Sequence, residues 1–260
     1  MSERGLCALS LVFEGPMQSY GASAVGKDRP TEDAPTKSAV LGLLGAALGI
    51  ARDDVQALVA LDRAFDLVVR VDRPGDLLDD YHTSLDVPWI DGGGIYRHAE
   101  ITRRRYLCGA RFTLWLVSTA ASEQLLATWH DALRYPRYAP VLGRRGCPPG
   151  APTVGPVFAL VRAATWRELV GTVALDDASL RDASFRRDTT WAVHVDESLC
   201  SGEDVRGHRK LIRRDRLVGP GKRMFYDRTV RVFAWSPSEA SRDARSDSPG
   251  RDTTEGYFDA

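Results

Sequence analysis

Cysteine is sparse in this 260-residue chain, and its four copies, Cys7, Cys108, Cys147 and Cys200, stand far apart. There is no CxxC pair and no Cys/His cluster, which excludes zinc-ribbon and zinc-finger spacings and gives no disulfide framework. The four are expected as reduced, mostly buried thiols. Long apolar runs are missing as well: none approaches the roughly 18 residues of a membrane span. The opening MSERGLCALSLVF lacks the long apolar core and small-residue cleavage site of a secretory signal, and reads as a first strand. The expectation is a cytoplasmic protein without membrane contact. A phosphate-binding GxxxxGK(S/T) loop is absent, because Gly26-Lys27 runs into Asp28 and no such spacing precedes Lys37-Ser38. A GxSxG nucleophile elbow is absent too. Neither a cofactor nor a metal is expected.

Net charge is also missing: 35 Lys and Arg balance 35 Asp and Glu, whereas a generic nucleic-acid binder carries excess positive charge. Lysine occurs only at 27, 37, 210 and 222, so the basic side is arginine. A GC-rich coding bias accounts for that total, and the placement carries the information. Arg103, Arg104 and Arg105 are consecutive. Arg134, Arg137, Arg144 and Arg145 share a segment with no carboxylate. Arg206, Arg209, Lys210, Arg213, Arg214 and Arg216 form a third group. Local cationic patches on a neutral protein suit the docking of one defined strand of nucleic acid.

The most patterned stretch is Pro35–Ile50, PTKSAVLGLLGAALGI. Val40, Leu43, Leu44, Ala47 and Leu48 recur at helical spacing, with Thr36 as N-cap. Gly42, Gly45 and Gly49 form a bare stripe that costs about 1 kcal/mol per glycine against alanine, so a close approach to the backbone is expected there, with helix–sheet packing as its first use. The helix entrance at Lys37 and Ser38 offers free N–H groups suited to one phosphate.

Leu6–Phe13 alternates like a strand, and Asp54–Leu61 suggests a second helix. Phe65–Val71 reads as a strand, with Leu67 and Val69 on one face. Residues 74–104 read as a long projecting hairpin turning at Gly92-Gly93-Gly94. Tyr106–Val117 reads as one strand, Ser122–Leu133 as a helix, and Val157–Ala163 as a strand. Residues 1–164, with the projection at about 76–104, therefore read as an α+β, ferredoxin-like (RRM-like) domain. A smaller β-rich C-terminal extension covers 165–235, with strands at Trp191–Asp196, His208–Ile212 and Thr229–Trp235. Residues 236–260 have the composition of a disordered tail.

These segments carry an ordered set of motifs. Gly15-Pro16-Met17-Gln18-Ser19-Tyr20-Gly21 is similar to GPMQ-x-(W/Y)-G. Arg29-Pro30-Thr31 and Pro35-Thr36-Lys37-Ser38 are similar to RPT and PT(R/K)SG, and Leu41-Gly42-Leu43-Leu44 with Leu48-Gly49-Ile50 to LGLL-x3-LGI. Asp80-Tyr81-His82-Thr83, Arg105-Tyr106-Leu107-Cys108, Pro136-Arg137-Tyr138, Leu142-Gly143-Arg144-Arg145 and Cys147-Pro148 follow in order, then Glu203, Gly207-His208 and Arg214-Asp215. Over about residues 6–215 the chain resembles the CasD family, the RAMP-superfamily subunit of the type I-E CRISPR Cascade complex. Ala39 departs from the family's usual Gly, and Gly146 from its frequent Ser.

The resemblance implies a RAMP domain with a β-hairpin thumb, binding the 5′ handle of the crRNA and capping the backbone filament for antiviral defence. The implied partners are the handle, the neighbouring backbone subunit and the large subunit, with target DNA reached only through the complex. The subunit would be non-catalytic. Candidate RNA contacts are Gln18, Ser19, Tyr20, Gly21, Lys37, Ser38, His82, Arg103, Arg105, Arg137, Tyr138, Arg144 and Arg145. The first three supply base or 2′-hydroxyl contacts and stacking, and the arginines clamp phosphates. The competing reading is a metal-independent endoribonuclease using His82, Tyr81 and Lys37 as an acid–base set.

Overall fold

Leu6–Phe13 alternates by two, and in the computed structural model it is the second strand of a seven-stranded sheet. The structure describes residues 5–21, 27–85, 87–88, 94–96, 100–153, 160–186, 190–200, 208–218 and 224–237. Expectations on Gly26, Gly92, Gly93, residues 157–159, Glu203, Arg206, Gly207, Lys222 and residues 238–260 fall outside them.

The elements run β1 (Leu6–Glu14), β2 (Met17–Gln18), β3 (Asp28–Arg29), α1 (Lys37–Leu48), α2 (Val55–Arg63), β4 (Phe65–Arg73), β5 (Asp76–Ser84), β6 (Val87–Pro88), β7 (Ile95–Tyr96), β8 (Glu100–Cys108) and β9 (Arg111–Ser118). Then come α3 (Glu123–Arg134), β10 (Leu160–Ala163), α4 (Trp166–Gly171), α5 (Asp177–Arg186), β11 (Trp191–Asp196), β12 (Arg209–Val218) and β13 (Met224–Trp235). None of these helices is long and apolar enough to cross a membrane. The helix starts are set by side chains. Thr36, Asp54 and Ser122 accept from the N–H groups of Ala39, Ala57 and Leu125.

The large sheet is antiparallel, in the order β10-β1-β9-β4-β11-β13-β12. Its alternation sorts two cores. Leu9, Leu11, Leu67, Val69, Leu114 and Leu116 face α1, α2 and α3, where Leu41, Leu44, Leu58 and Trp129 close the layer. Ala8, Val68, Trp115, Val117, Val193 and Val195 meet Trp166, Leu169 and Val170 of α4 on the other face. Strands buried on both faces explain why β1 is apolar nearly throughout.

Three sequence expectations change. Tyr106–Val117 is two strands, because Gly109, at φ 65°, turns the chain from β8 of a second small sheet into β9 of the large one. The strands of 165–235 extend the first sheet, since β11 pairs with β4 at Val193–Arg70 and Val195–Val68. Arg70 fixes that junction: its guanidinium is buried, bonds Asp72 and the carbonyls of Val170 and Val173, and lies over Trp115 and Trp235. The glycine stripe, finally, is three separate cases. Gly42 faces open space, Gly45 lets α2 approach through Leu58, and Gly49 is the left-handed C-cap at φ 76°. The close packing is helix on helix rather than helix on sheet.

Candidate nucleic-acid interface

Beyond the large sheet, β5 and β8 form a nine-residue antiparallel ladder from Asp76–Cys108 to Ser84–Glu100. β2 and β3 pair with the other edge of β8. Alternation puts Arg103 and Arg105 on one exposed face, as the sequence predicts. Arg103 stands opposite Tyr81, and Arg105 stands opposite Asp79 with Nε 3.6 Å from Oδ2. Leu77, Tyr81 and Leu85 are exposed along the same arm. His82 is exposed opposite Thr102.

The loops at the base of this ladder are stitched together. Ser19 is buried and donates to the Arg105 carbonyl at 2.9 Å. Arg144 donates to the Arg29 carbonyl at 2.6 Å and the Arg105 carbonyl at 3.3 Å, with its guanidinium 5.0 Å from the Tyr106 ring centroid. Gly143, at φ 89°, packs its Cα directly on the Ser19 carbonyl. Ser19, Arg105 and Arg144 are therefore brought together, with Gly21 exposed beside them in a bridge to Thr31. Arg144 acts as a staple, whereas Arg145 is exposed.

Gln18 and Tyr20 are corrected. Both are fully buried: Gln18 donates to the Ala110 carbonyl and accepts the Tyr20 hydroxyl, and the Tyr20 ring packs between Phe13 and Phe112. Burial holds the Tyr20 phenol well above its ordinary pKa. These side chains shape the loop from below and present nothing to a base.

Lys37 is corrected as well. Its backbone N–H, the one expected to greet a phosphate, donates to Asp215 Oδ2 at 2.7 Å. Its ammonium is buried over the Phe65 ring, 4.0 Å from both Asp62 Oδ2 and Asp66 Oδ1. Burial pushes the amine's pKa down against the pull of those carboxylates. Asp215 is also held by the Arg228 fork at 2.8 and 2.7 Å, and Arg228 reaches Asp196. Burial lifts Asp215 to about 6 and lowers Arg228 to about 10. The sequence reading missed this network because its members lie far apart along the chain. Arg213, read as part of a cationic patch, is instead buried, donating to the exposed Asp33 carboxylate and to the Ala34 and Pro35 carbonyls. Ser38 stays half-exposed at the helix entrance, its Oγ 3.2 Å from Thr36 Oγ1.

Arg137 and Tyr138 sit at the opposite end of α1. Their backbone N–H groups bond the Ala47 and Ala46 carbonyls, satisfying acceptors the helix end leaves open. Both side chains are exposed, and Tyr138 presents its ring to solvent. Their contacts at Ala46 and Ala47 lie about 12–14 Å along the helix from Ser38. The acid–base trio does not assemble. Lys37 is buried in its ion pairs, while Tyr81 and His82 are neighbours on one strand and point to opposite faces.

A search of curated proteins finds "CRISPR system Cascade subunit CasD" of Escherichia coli (strain K12), 42% identical over 151 residues, which is 54% of this chain and 66% of that protein. The match therefore spans just under two thirds of that relative's length. Among solved structures, one described as "CRISPR RNA-guided surveillance complex" aligns with TM-score 0.63 and 27% identity, covering 88% of this chain and 90% of the other. Another, "Crystal structure of Cas protein", aligns with TM-score 0.61 and 26% identity over 89% and 96%. A family model described as CRISPR-associated protein (Cas_Cas5) matches residues 8–231, from β1 to β13. With most of both sheets inside that match, the chain belongs to the Cas5 family of CRISPR-associated proteins.

Proposed function

We propose that this chain is a non-catalytic subunit of a type I-E Cascade complex that binds the 5′ handle of the crRNA and caps the backbone filament. The likeness to the Escherichia coli Cascade subunit supports membership of such an assembly. The observation that carries the RNA-binding part is the exposed face of β8, where Arg103 and Arg105 project beside Tyr81 on an arm anchored at Ser19 and Arg144. Guanidinium groups next to an exposed aromatic match the needs of single-stranded RNA, a phosphate clamp and a stacking surface. Gly21, His82 and Arg145 add exposed groups on this sheet and the loops at its base, Ser38 a half-exposed one at the α1 entrance, and Arg137 and Tyr138 exposed ones at the far end of α1. The buried Gln18, Tyr20 and Lys37 act by shaping the surface.

The order β10-β1-β9-β4, with α1 and α2 between β1 and β4 and α3 between β9 and β10, supports a ferredoxin-like RAMP core. In this reading the β5–β8 ladder is the thumb. It contacts the neighbouring backbone subunit, the large subunit adjoins it, and target DNA is met only through the complex, in the cytoplasm.

The test uses the purified full chain with repeat-derived RNA in EDTA, and photocrosslinking in the reconstituted complex. Crosslinks from the 5′ handle to the 100–106 segment are expected, with the RNA left intact. A product ending in a 2′,3′-cyclic phosphate would favour the endoribonuclease, and handle crosslinks confined to other subunits would sink the RNA-binding reading.

A further inference from the structure

Cations and anions share the outer face of the β5–β8 arm. Arg103 and Arg105 project from β8 roughly 7 Å apart, two residues along one strand. Tyr81 and Asp79 stand opposite them on β5, about 5 Å across the ladder. On the other flank, β3 brings the exposed Asp28 into register with Arg103. A site for phosphate alone gains nothing from these carboxylates, which repel the ligand. Asp79 lies 3.6 Å from Arg105, Oδ2 to Nε, an ion pair too long for a hydrogen bond. Both side chains are about half exposed, so a ligand reaches the carboxylate directly. An exposed pair of this kind adds little to stability, and holding the arm together does not account for it.

The layout sets where each part of a nucleotide lies. Phosphates belong on the guanidinium line of β8. Asp28 repels them from the β3 side, so the nucleoside falls over β5. There the exposed Tyr81 ring takes the flat face of a base. Asp79, two residues along the same face, meets the neighbouring ribose. An ionised carboxylate only accepts hydrogen bonds. The sugar–phosphate backbone of RNA carries one kind of donor, the 2′-hydroxyl, and that of DNA carries none.

We propose that Asp79 accepts the 2′-hydroxyl of a bound nucleotide and makes this face selective for RNA over DNA, an inference that rests on the RNA-binding reading above. RNA turns the carboxylate from a repulsive neighbour of the phosphates into a hydrogen-bond partner. DNA meets the same repulsion with nothing to offset it. One side chain thus adds discrimination to a clamp that would otherwise hold any single strand.

The test is fluorescence anisotropy of the full chain, at fixed salt, with uridine octamers that differ only at the 2′ position: hydroxyl, hydrogen or fluorine. The fluoro sugar keeps the ribose pucker and lacks the donor. The hydroxyl octamer should bind about tenfold tighter than the other two. Asp79→Ala, at an exposed position, should tighten the hydrogen and fluorine octamers and bring all three to within about twofold. Asp80→Ala removes the same charge from the opposite face of β5 and should leave the preference intact. Equal binding of the three octamers by the wild type overturns the 2′-hydroxyl contact but leaves the RNA-binding reading standing. A fluorine octamer that binds like the hydroxyl one has the same consequence, because sugar shape is then what is read. An Asp79→Ala variant that binds all three more tightly by one factor makes the carboxylate a repulsive charge only and also overturns the contact, as does a preference lost equally in Asp80→Ala. Failure to bind any octamer overturns both.

Discussion

The carboxylate of Asp215 accepts the backbone N–H of Lys37 at 2.7 Å, across 178 positions of sequence. One side chain from β12 thereby closes the entrance of α1, and the Arg228 fork neutralises it from behind. Asp215→Ala should cost about 3–5 kcal/mol, because it strips two hydrogen bonds from the buried Arg228 guanidinium, leaving it only Asp196 as carboxylate partner, and leaves a helix N–H without its acceptor. Asp215→Asn, which keeps an acceptor for Lys37, should cost less. Urea unfolding at pH 7 measures both. An alanine penalty under about 1 kcal/mol would put this pair in the range of surface bridges and refute the assignment.

Glycine positions should rank by local geometry rather than by sequence motif. Gly42→Ala, in open space on α1, should stabilise by about 0.5–1 kcal/mol. Gly143→Ala should destabilise by at least about 2 kcal/mol, since its φ of 89° is left-handed and a Cβ would run into the Ser19 carbonyl. Gly45→Ala, whose Cβ would meet Leu58 Cδ2 at 3.1 Å, should fall between. Melting temperatures in any other order would count against this placement.

His194 makes stability depend on pH. It is buried on β11, and its Nδ1 accepts from Arg213, which fixes the neutral ring. Burial and then the Arg213 charge lower its pKa from 6.5 to about 4. The unfolded chain therefore binds the extra proton between those values, and His194's contribution is lost as pH falls from about 6.5 toward 4. Asp215, raised to about 6, acts in the opposite sense, favouring the folded state increasingly as pH falls from about 6 toward 3.8. The two nearly cancel over this range. Removing the imidazole with His194→Gln should unmask the Asp215 slope. The mutant's stability relative to wild type should then improve by on the order of 3 kcal/mol between pH 6.5 and pH 4. A constant difference across that range would rule out a neutral buried His194.

What the sequence made legible was local. Thr36, Asp54 and Ser122 announce their helices because a cap acts within three residues. The alternation of β1 and the pairing of Arg103 with Arg105 on one face follow from strand period alone. The Lys37–Asp215 and Arg70–Val170 contacts were hidden because nothing local marks residues 100 or more positions apart as partners. Arginine was the hardest residue to read. Arg228 serves the buried Asp196 and Asp215, Arg213 serves Asp33 and backbone carbonyls, Arg144 serves carbonyls, and Arg103 and Arg145 face solvent, yet in sequence nothing local tells a buried arginine from an exposed one. Tyr106–Val117 misled for a related reason: an unbroken apolar alternation does not reveal that Gly109 passes it from one sheet to another.

Adjacent arginines in the 142–147 loop should separate cleanly by experiment. Arg145 is exposed, so Arg145→Ala should leave the melting temperature unchanged. If it clamps one phosphate of the handle, the slope of log affinity against log salt should flatten by about 0.7. Arg144 spends its donors on the Arg29 and Arg105 carbonyls, and its plane lies over Tyr106. Arg144→Ala should cost about 1–2 kcal/mol of stability and loosen the base of the β5–β8 arm. It should weaken RNA binding through that geometry, with little change in salt slope. Arg144→Lys should not restore it, because an ammonium cannot fork across two carbonyls and lie flat on a ring. Salt titrations and thermal melts of the three variants test this together. A flattened slope with intact stability for Arg144→Ala would make it a phosphate clamp and overturn its role as a staple.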